Sequence, residues 1–257
     1  MTATPDQPPA SFPAQAGHDL FVATKFAPSR AAFDQAAIAG FRAAEFWLNE
    51  SILDRHEEIA GTAAHFPMRY ALHFPTTSRL RPESLEHCVR LYEAVNARAL
   101  ILHEPQYLAF HAELTRLLPS IRFAVENHHL RPADFLPWCA RQPGITLDVE
   151  HLWMLCLGDV SLDRLLAEVE AFLDRFGDRL QHVHLPGYTP GYDEHRPMYC
   201  NRDLVFAIWD RLAARRFDGL IVSEVANEFQ NPCDLRMDAL LYDRWKHLRL
   251  GPQPASA

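Results

Sequence analysis

Lysine is almost missing from this chain: two of 257 residues, Lys25 and Lys246, against 23 arginines. The arginines are scattered and form no stripe, and the net charge is −8, so a phosphate backbone is disfavoured as partner. No run approaches the roughly 20 apolar residues that a membrane span needs. Residues 1–17, rich in Pro, Ala and Gln, lack the basic start and apolar stretch of a signal peptide and read as a disordered leader. The five cysteines include no Cys-x-x-Cys pair, and an odd, scattered set fits reduced thiols in a cytoplasmic protein better than a disulfide framework. Gly-rich phosphate loops, a Gly-x-Ser-x-Gly elbow and a Cys-His pairing are all missing, which removes the usual signs of P-loop nucleotide binding and of covalent catalysis.

What is present is alternation. Eight short runs, at 20–25, 43–48, 70–75, 99–104, 121–127, 145–150, 180–185 and 219–225, are rich in Val, Ile, Leu, Phe and Ala, as strands buried on both faces are. Between them lie amphipathic stretches with helix punctuation: Ser29 before 30–38, Pro82 opening 83–96, Pro132 opening 133–141, and Ser161 before 162–176. In the last of these Leu162, Leu165, Leu166, Val169, Phe172, Leu173 and Phe176 recur at helical spacing, the stripe of a helix lying on a sheet. Eight such units predict a single (β/α)8 TIM barrel over 18–250, with 251–257 as a disordered tail and all strand C-termini opening on one mouth.

Those ends carry the chemistry. The runs lead to Lys25, Glu45 to Asn49, His73, His103, Glu126, Asp148, His184 and Glu224. Glu126, Asp148 and Glu224 each follow apolar residues, and a buried lone carboxylate costs several kcal/mol unless it is paired or binds a metal. With Lys25 and scattered arginines as the other cations, a divalent ion accounts for these three carboxylates and His184 better than an arginine-satisfied network does. His182 and His184 share strand parity; His184, nearer the mouth, reads as ligand and His182 as a lower, packed residue. His151, three residues past Asp148, either ligates metal or holds a substrate oxygen. His73 and His103 stand at equivalent strand ends, as satisfied core residues or as ligands. The long aperiodic loop 184–202 carries Asp193, His195 and Arg196, either as a functional Asp-x-His or as solvated residues. Lys25 reads as a surface or rim ion pair or as a substrate contact. His128 and His129 line the rim, and Phe46, Trp47, Trp138 and Trp153 read as packing.

With these strand ends, residues 20–250 resemble the xylose isomerase-like barrel superfamily, which holds sugar and sugar-phosphate isomerases and epimerases together with abasic-site nucleases of the endonuclease IV type. The resemblance implies a metal held by Glu126, Asp148, His184 and Glu224. Endonuclease IV-type members hold three zinc ions with further ligands, which His73, His103, His151, Asp193 and His195 match; the acidic chain lacks the basic, aromatic-rich loops that grip and bend a duplex. The leading expectation is therefore a metal-dependent isomerase or epimerase of a small polyhydroxy carbonyl compound, a sugar or sugar phosphate. Glu126 and Glu224 are its acid and base, and His151, Arg196 and Lys25 its substrate contacts. Mixed nitrogen and oxygen ligation favours Mn, Zn, Co or Fe over Mg or Ca, as one to three ions. The same nine ligand types would also serve a multinuclear hydrolase or a multi-iron oxidative enzyme.

Overall fold

Eight parallel strands close on themselves in chain order: β1 (Phe21–Phe26), β2 (Ala43–Trp47), β3 (Arg69–His73), β4 (Leu100–His103), β5 (Phe123–Glu126), β6 (Ile145–Asp148), β7 (Leu180–His184) and β8 (Leu220–Ser223). The computed structural model describes residues 18–192 and 194–250. The expected leader 1–17, the expected tail and Asp193 lie outside them. One principal helix follows each strand: α1 (Arg30–Ala39), α2 (His56–Ala63), α3 (Pro82–Ala94), α4 (Glu104–Leu117), α5 (Pro132–Cys139), α6 (Leu162–Phe176), α7 (Arg202–Ala214) and α8 (Pro232–Leu250). The expected single (β/α)8 barrel is the observed architecture.

Local chemistry sets the helix ends. Ser29 caps α1 by accepting the Ala32 N–H at 3.3 Å, and Gly40 stops it with a left-handed φ of 102° that a side chain would strain. Along α6 the expected stripe buries Leu165, Val169, Phe172, Leu173 and Phe176 against the sheet. Every strand but β1 is shorter than its apolar run, because pairing stops where neighbouring chains diverge into loops. At the end of the fourth run, Glu104 already belongs to α4, with Pro105 in its first turn, where the missing N–H costs nothing.

Strand alternation then separates two environments. One parity faces outward and packs beneath the helices, as Phe46, Leu72, Leu102, Val125, Leu147, Val183 and Ile221 do. The other faces the lumen, where Ala23, Ala43, Ala71, Ala99 and Ala124 join Ile101, Leu220 and Val222 in a dry floor. One pleat higher, the same parity delivers Lys25, Glu45, His73, His103, Glu126 and Glu224 to the mouth. Among the described residues no helix is long and apolar enough to cross a membrane, and all five cysteines are free.

Candidate metal centre

β5 and β6 build the middle of the site. Register places His103 beside Glu126 and Asp148 beside His184. Past the strand ends, Asn127 continues the β5–β6 pairing: its side-chain oxygen accepts the Asp148 N–H at 2.8 Å and its amide donates to the Asp148 carbonyl at 2.9 Å. Asp148 divides its carboxylate. Oδ1 caps the short turn Val149–His151 by accepting the His151 N–H at 2.7 Å, which leaves Oδ2 for the lumen.

Glu126, 3% exposed, sits at the centre of a ring of imidazoles. His73 Nε2 lies 3.3 Å from its Oε2, His103 Nε2 3.6 Å, His184 Nδ1 3.4 Å, and His151 Nδ1 3.3 Å from its Oε1. Three sets of donor atoms within 4.8 Å of one another share these residues: His73, His103 and Glu126; Glu126, Asp148 and His151; and Asp148, His184 and Glu224. In the third set His184 Nδ1 approaches Glu224 Oε2 to 2.7 Å and Asp148 Oδ2 to 3.6 Å. Yet His184 Nδ1, Asp148 Oδ2 and Glu224 Oε2 are all buried without a hydrogen-bond partner. Three orphaned donors of mixed nitrogen and oxygen type that face one another fit a divalent ion of the zinc or manganese kind. The four ligands implied by the resemblance, and His73, His103 and His151 with them, thus come together.

Two residues outside that expected set belong to the same constellation. Glu45, on β2 opposite Lys25, is fully buried and accepts from His182 Nε2 at 2.5 Å and His184 Nε2 at 3.0 Å. Lys25 is an ion pair of the interior, not of the surface or rim: its ammonium, 8% exposed, lies 3.1 Å from Glu45 and 2.7 Å from Glu224. His182 is packed below His184 as expected, but as a partner of Glu45. The signal for Glu45 is a charge inside an apolar run, obscured by the Phe46, Trp47 and Leu48 that follow it.

Electrostatics follow from burial and crowding. Burial alone would raise the carboxyls of Glu45, Glu126 and Glu224, but Lys25 and imidazoles at Glu45 and Glu224, and imidazoles at Glu126, hold all three well below the ordinary carboxylate range. Burial likewise opposes a charged ring at His184, yet Glu224, Glu45 and Glu126 push it well above its usual value. At His151, Asp148 and Glu126 overcome burial and raise the ring to about 10. His73 goes the other way, lowered by burial and by Lys25. Four buried carboxylates facing a single ammonium draw protons onto imidazoles, and a bound cation would supply that charge instead.

The mouth itself is less uniform. His195 keeps a left-handed φ of 57°, with its N–H donating to the buried Glu150 carboxylate at 3.1 Å and its ring 6.3 Å from that of His151. It joins none of the three donor sets, and its expected partner Asp193 lies outside the described residues. Arg196 rests its guanidinium 4.7 Å from the Tyr192 ring centre. His128 stacks on His103 at 5.1 Å, and burial with the imidazoles of His151 and His103 lowers it to about 4. Trp138, Trp153 and Phe46 are packed as expected, whereas Trp47 is 40% exposed at the end of β2 beside His73. Two surface hollows lie at the strand N-termini, around Tyr92, Arg98 and Arg122 and around Asp178, Arg215 and Phe217, at the end of the barrel opposite these groups.

The sequence matches no family model and no curated protein. Its structure resembles several solved barrels. A D-tagatose 3-epimerase-like protein is 14% identical with a TM-score of 0.60, over 89% of this chain and 98% of that one. A D-allulose 3-epimerase from Methylomonas sp., solved with D-allulose, is 15% identical with a TM-score of 0.55, over 88% and 97%. An L-ribulose 3-epimerase is 12% identical with a TM-score of 0.53, over 93% and 100%. At such identities the likeness is one of fold. The chain shares the closed (β/α)8 fold of these epimerase barrels.

Proposed function

We propose that this barrel is a divalent-metal-dependent isomerase or epimerase acting on a sugar, a sugar phosphate or a related polyhydroxy carbonyl compound. The observation that carries the reading is the convergence of His184 Nδ1, Asp148 Oδ2 and Glu224 Oε2, buried and unpartnered, beside Glu126 at the barrel mouth. Support for the substrate class comes from barrels of like fold that are named for epimerising D-allulose and L-ribulose. Glu126, Asp148, His184 and Glu224 would hold the ion, which in turn would stabilise the negative charge that develops on substrate oxygen as the adjacent carbon loses its proton. One of Glu224 and Glu126 withdraws that proton and keeps it, while the other, carrying a proton of its own taken from solvent, delivers that one to the opposite face. Both carboxyls are held well below the ordinary carboxylate range, which suits the member that acts as base. The buried His151 and the half-buried Arg196 contact substrate oxygens or a terminal anion. Trp47, with an exposed indole at the mouth, offers an apolar face to a sugar ring. Lys25, with its ammonium fully engaged by two carboxylates, is assigned to holding the site together instead of holding substrate.

The test is solvent deuterium incorporation. Protein reconstituted with zinc, manganese, cobalt or iron is incubated in deuterium oxide with a panel of ketoses and ketose phosphates. Deuterium is expected at a carbon next to the carbonyl, and Glu224→Gln is expected to reduce its entry at least a hundredfold.

One observation favours a second reading. His73 and His103 form a donor set with Glu126, and Glu126 also belongs to a set with Asp148 and His151, so these residues would be able to hold more than one ion. A centre of two or three ions would serve a hydrolase of the endonuclease IV type or a multi-iron oxidative enzyme. Two or three ions per chain, with no deuterium in any sugar and with phosphodiester cleavage or dioxygen uptake abolished by His103→Ala, would replace the first reading with this one.

A further inference from the structure

We propose that Glu45 is a positioning residue of the metal centre, one that holds the Nε2–H of His184 so that Nδ1 presents its lone pair to the ion. The inference rests on the metal reading above but not on the reaction assigned to it. His184 is the pivot, because its two ring nitrogens face two different sets of carboxylates. Nε2 lies 3.0 Å from Glu45 Oε2 with hydrogen-bond geometry. Nδ1 faces Glu224, Asp148 and Glu126 without satisfying any of them as a hydrogen bond. A neutral imidazole carries one N–H, and the nitrogen that donates leaves the other free to ligate. Glu45 therefore selects which nitrogen serves the ion.

The surroundings fix Glu45 in turn. His182 Nε2 donates to the same Oε2 at 2.5 Å, and the two imidazoles stand 83° apart with centres at 5.3 Å. Lys25 lies 3.1 Å from Oε1, in strand register with Glu45. All three donors and Glu45 are buried above the alanine-lined floor. Glu45, His182 and His184 also have the spacing of a cation site of their own. That alternative fails on chemistry: both rings already donate into the carboxylate, and the Lys25 ammonium would repel a second cation. A carboxylate is required because three donors meet it; the amide of Glu45→Gln has one acceptor oxygen and would point an N–H₂ at a donor.

The experiment uses the full chain and zinc. Nitrogen-15 histidine spectra of zinc-loaded wild-type protein are expected to show His184 ligated through Nδ1, with a slowly exchanging proton on Nε2. Zinc affinity, measured by competition with a chromophoric chelator, is expected to fall about 10- to 100-fold in Glu45→Gln. In a His184→Ala background the same substitution is expected to change affinity less than twofold, because Glu45 acts through that ring. Ligation of His184 through Nε2, or an equal loss from Glu45→Gln in both backgrounds, would overturn the proposal. The wild-type spectrum decides the matter even if the variants fail to fold. Zinc bound as described without turnover of any sugar would refute the proposed function alone, whereas a wild-type chain that binds no zinc would refute both.

Discussion

Asp148 shows how one side chain serves both folding and chemistry. Its Oδ1 caps the turn that carries His151, and its Oδ2 is aimed unpartnered at the centre. Asn is as good a cap as Asp, so Asp148→Asn is expected to leave unfolding free energy within about 1 kcal/mol of wild type in the metal-free protein. It removes the charged ligand, so zinc affinity is expected to fall at least tenfold. Urea unfolding with chelator present and a zinc titration separate the two effects; a large stability loss without an affinity loss would reverse the assignment. Residues of this kind were legible from the sequence because a charge at the end of an apolar run has few explanations. Asn127, Glu150 and the engagement of Lys25 were not legible, since each depends on a partner brought close by closure of the barrel. Lys25 and Glu224 are 199 positions apart yet 2.7 Å from each other.

Among the elements, the segment after β7 is tied once to itself and once to α8. Gly187 donates to the Arg196 carbonyl at 2.7 Å, and a Cβ built there would fall 1.9 Å from the Pro197 carbonyl oxygen. Gly187→Ala must therefore displace the strand of loop carrying His195 and Arg196. We expect substrate KM to rise while zinc affinity at the Asp148, His184 and Glu224 set stays within twofold; unchanged KM would show that this loop does not contact substrate. The second tie lies behind β8, where Ser223 Oγ donates to Asp238 at 2.5 Å and Asp238 also accepts the Tyr199 N–H at 3.0 Å. Burial raises the Asp238 carboxyl from 3.8 to about 6. The folded state thus holds its proton more tightly than the unfolded chain does, and the associated stability is full below pH about 4 and is lost as pH rises through about 6, up to about 3 kcal/mol. The difference in unfolding free energy between wild type and Asp238→Asn should drift accordingly between pH 4 and 7, and a flat difference would show that the carboxyl titrates normally. Helix α6 was readable end to end because stripe and cap agree; strand ends were not, because apolar runs continue into loops that no neighbouring strand pairs.

Taken as a whole, the barrel collects Glu45, Glu126, Asp148 and Glu224 around Lys25 in a chain of net charge −8. Desolvation of so many charged groups in the lumen costs stability in the metal-free fold, and an ion that binds only the folded chain offsets it. At a free zinc concentration a hundred times its dissociation constant, one ion is expected to add about 2.7 kcal/mol to unfolding free energy, seen as a chelator-reversible rise in Tm. The architecture was legible because alternation of strand and helix runs the length of the chain; the number of ions was not, because shared ligands such as Glu126 fit one, two or three. The most direct measurement is anomalous diffraction at a metal edge from crystals of the zinc-reconstituted chain. A peak is expected at about 2.0–2.3 Å from Asp148, His184 Nδ1 and Glu224. A metal-replete crystal with no peak there, its carboxylates neutralised by Lys25 and protonated imidazoles alone, would contradict the metal reading.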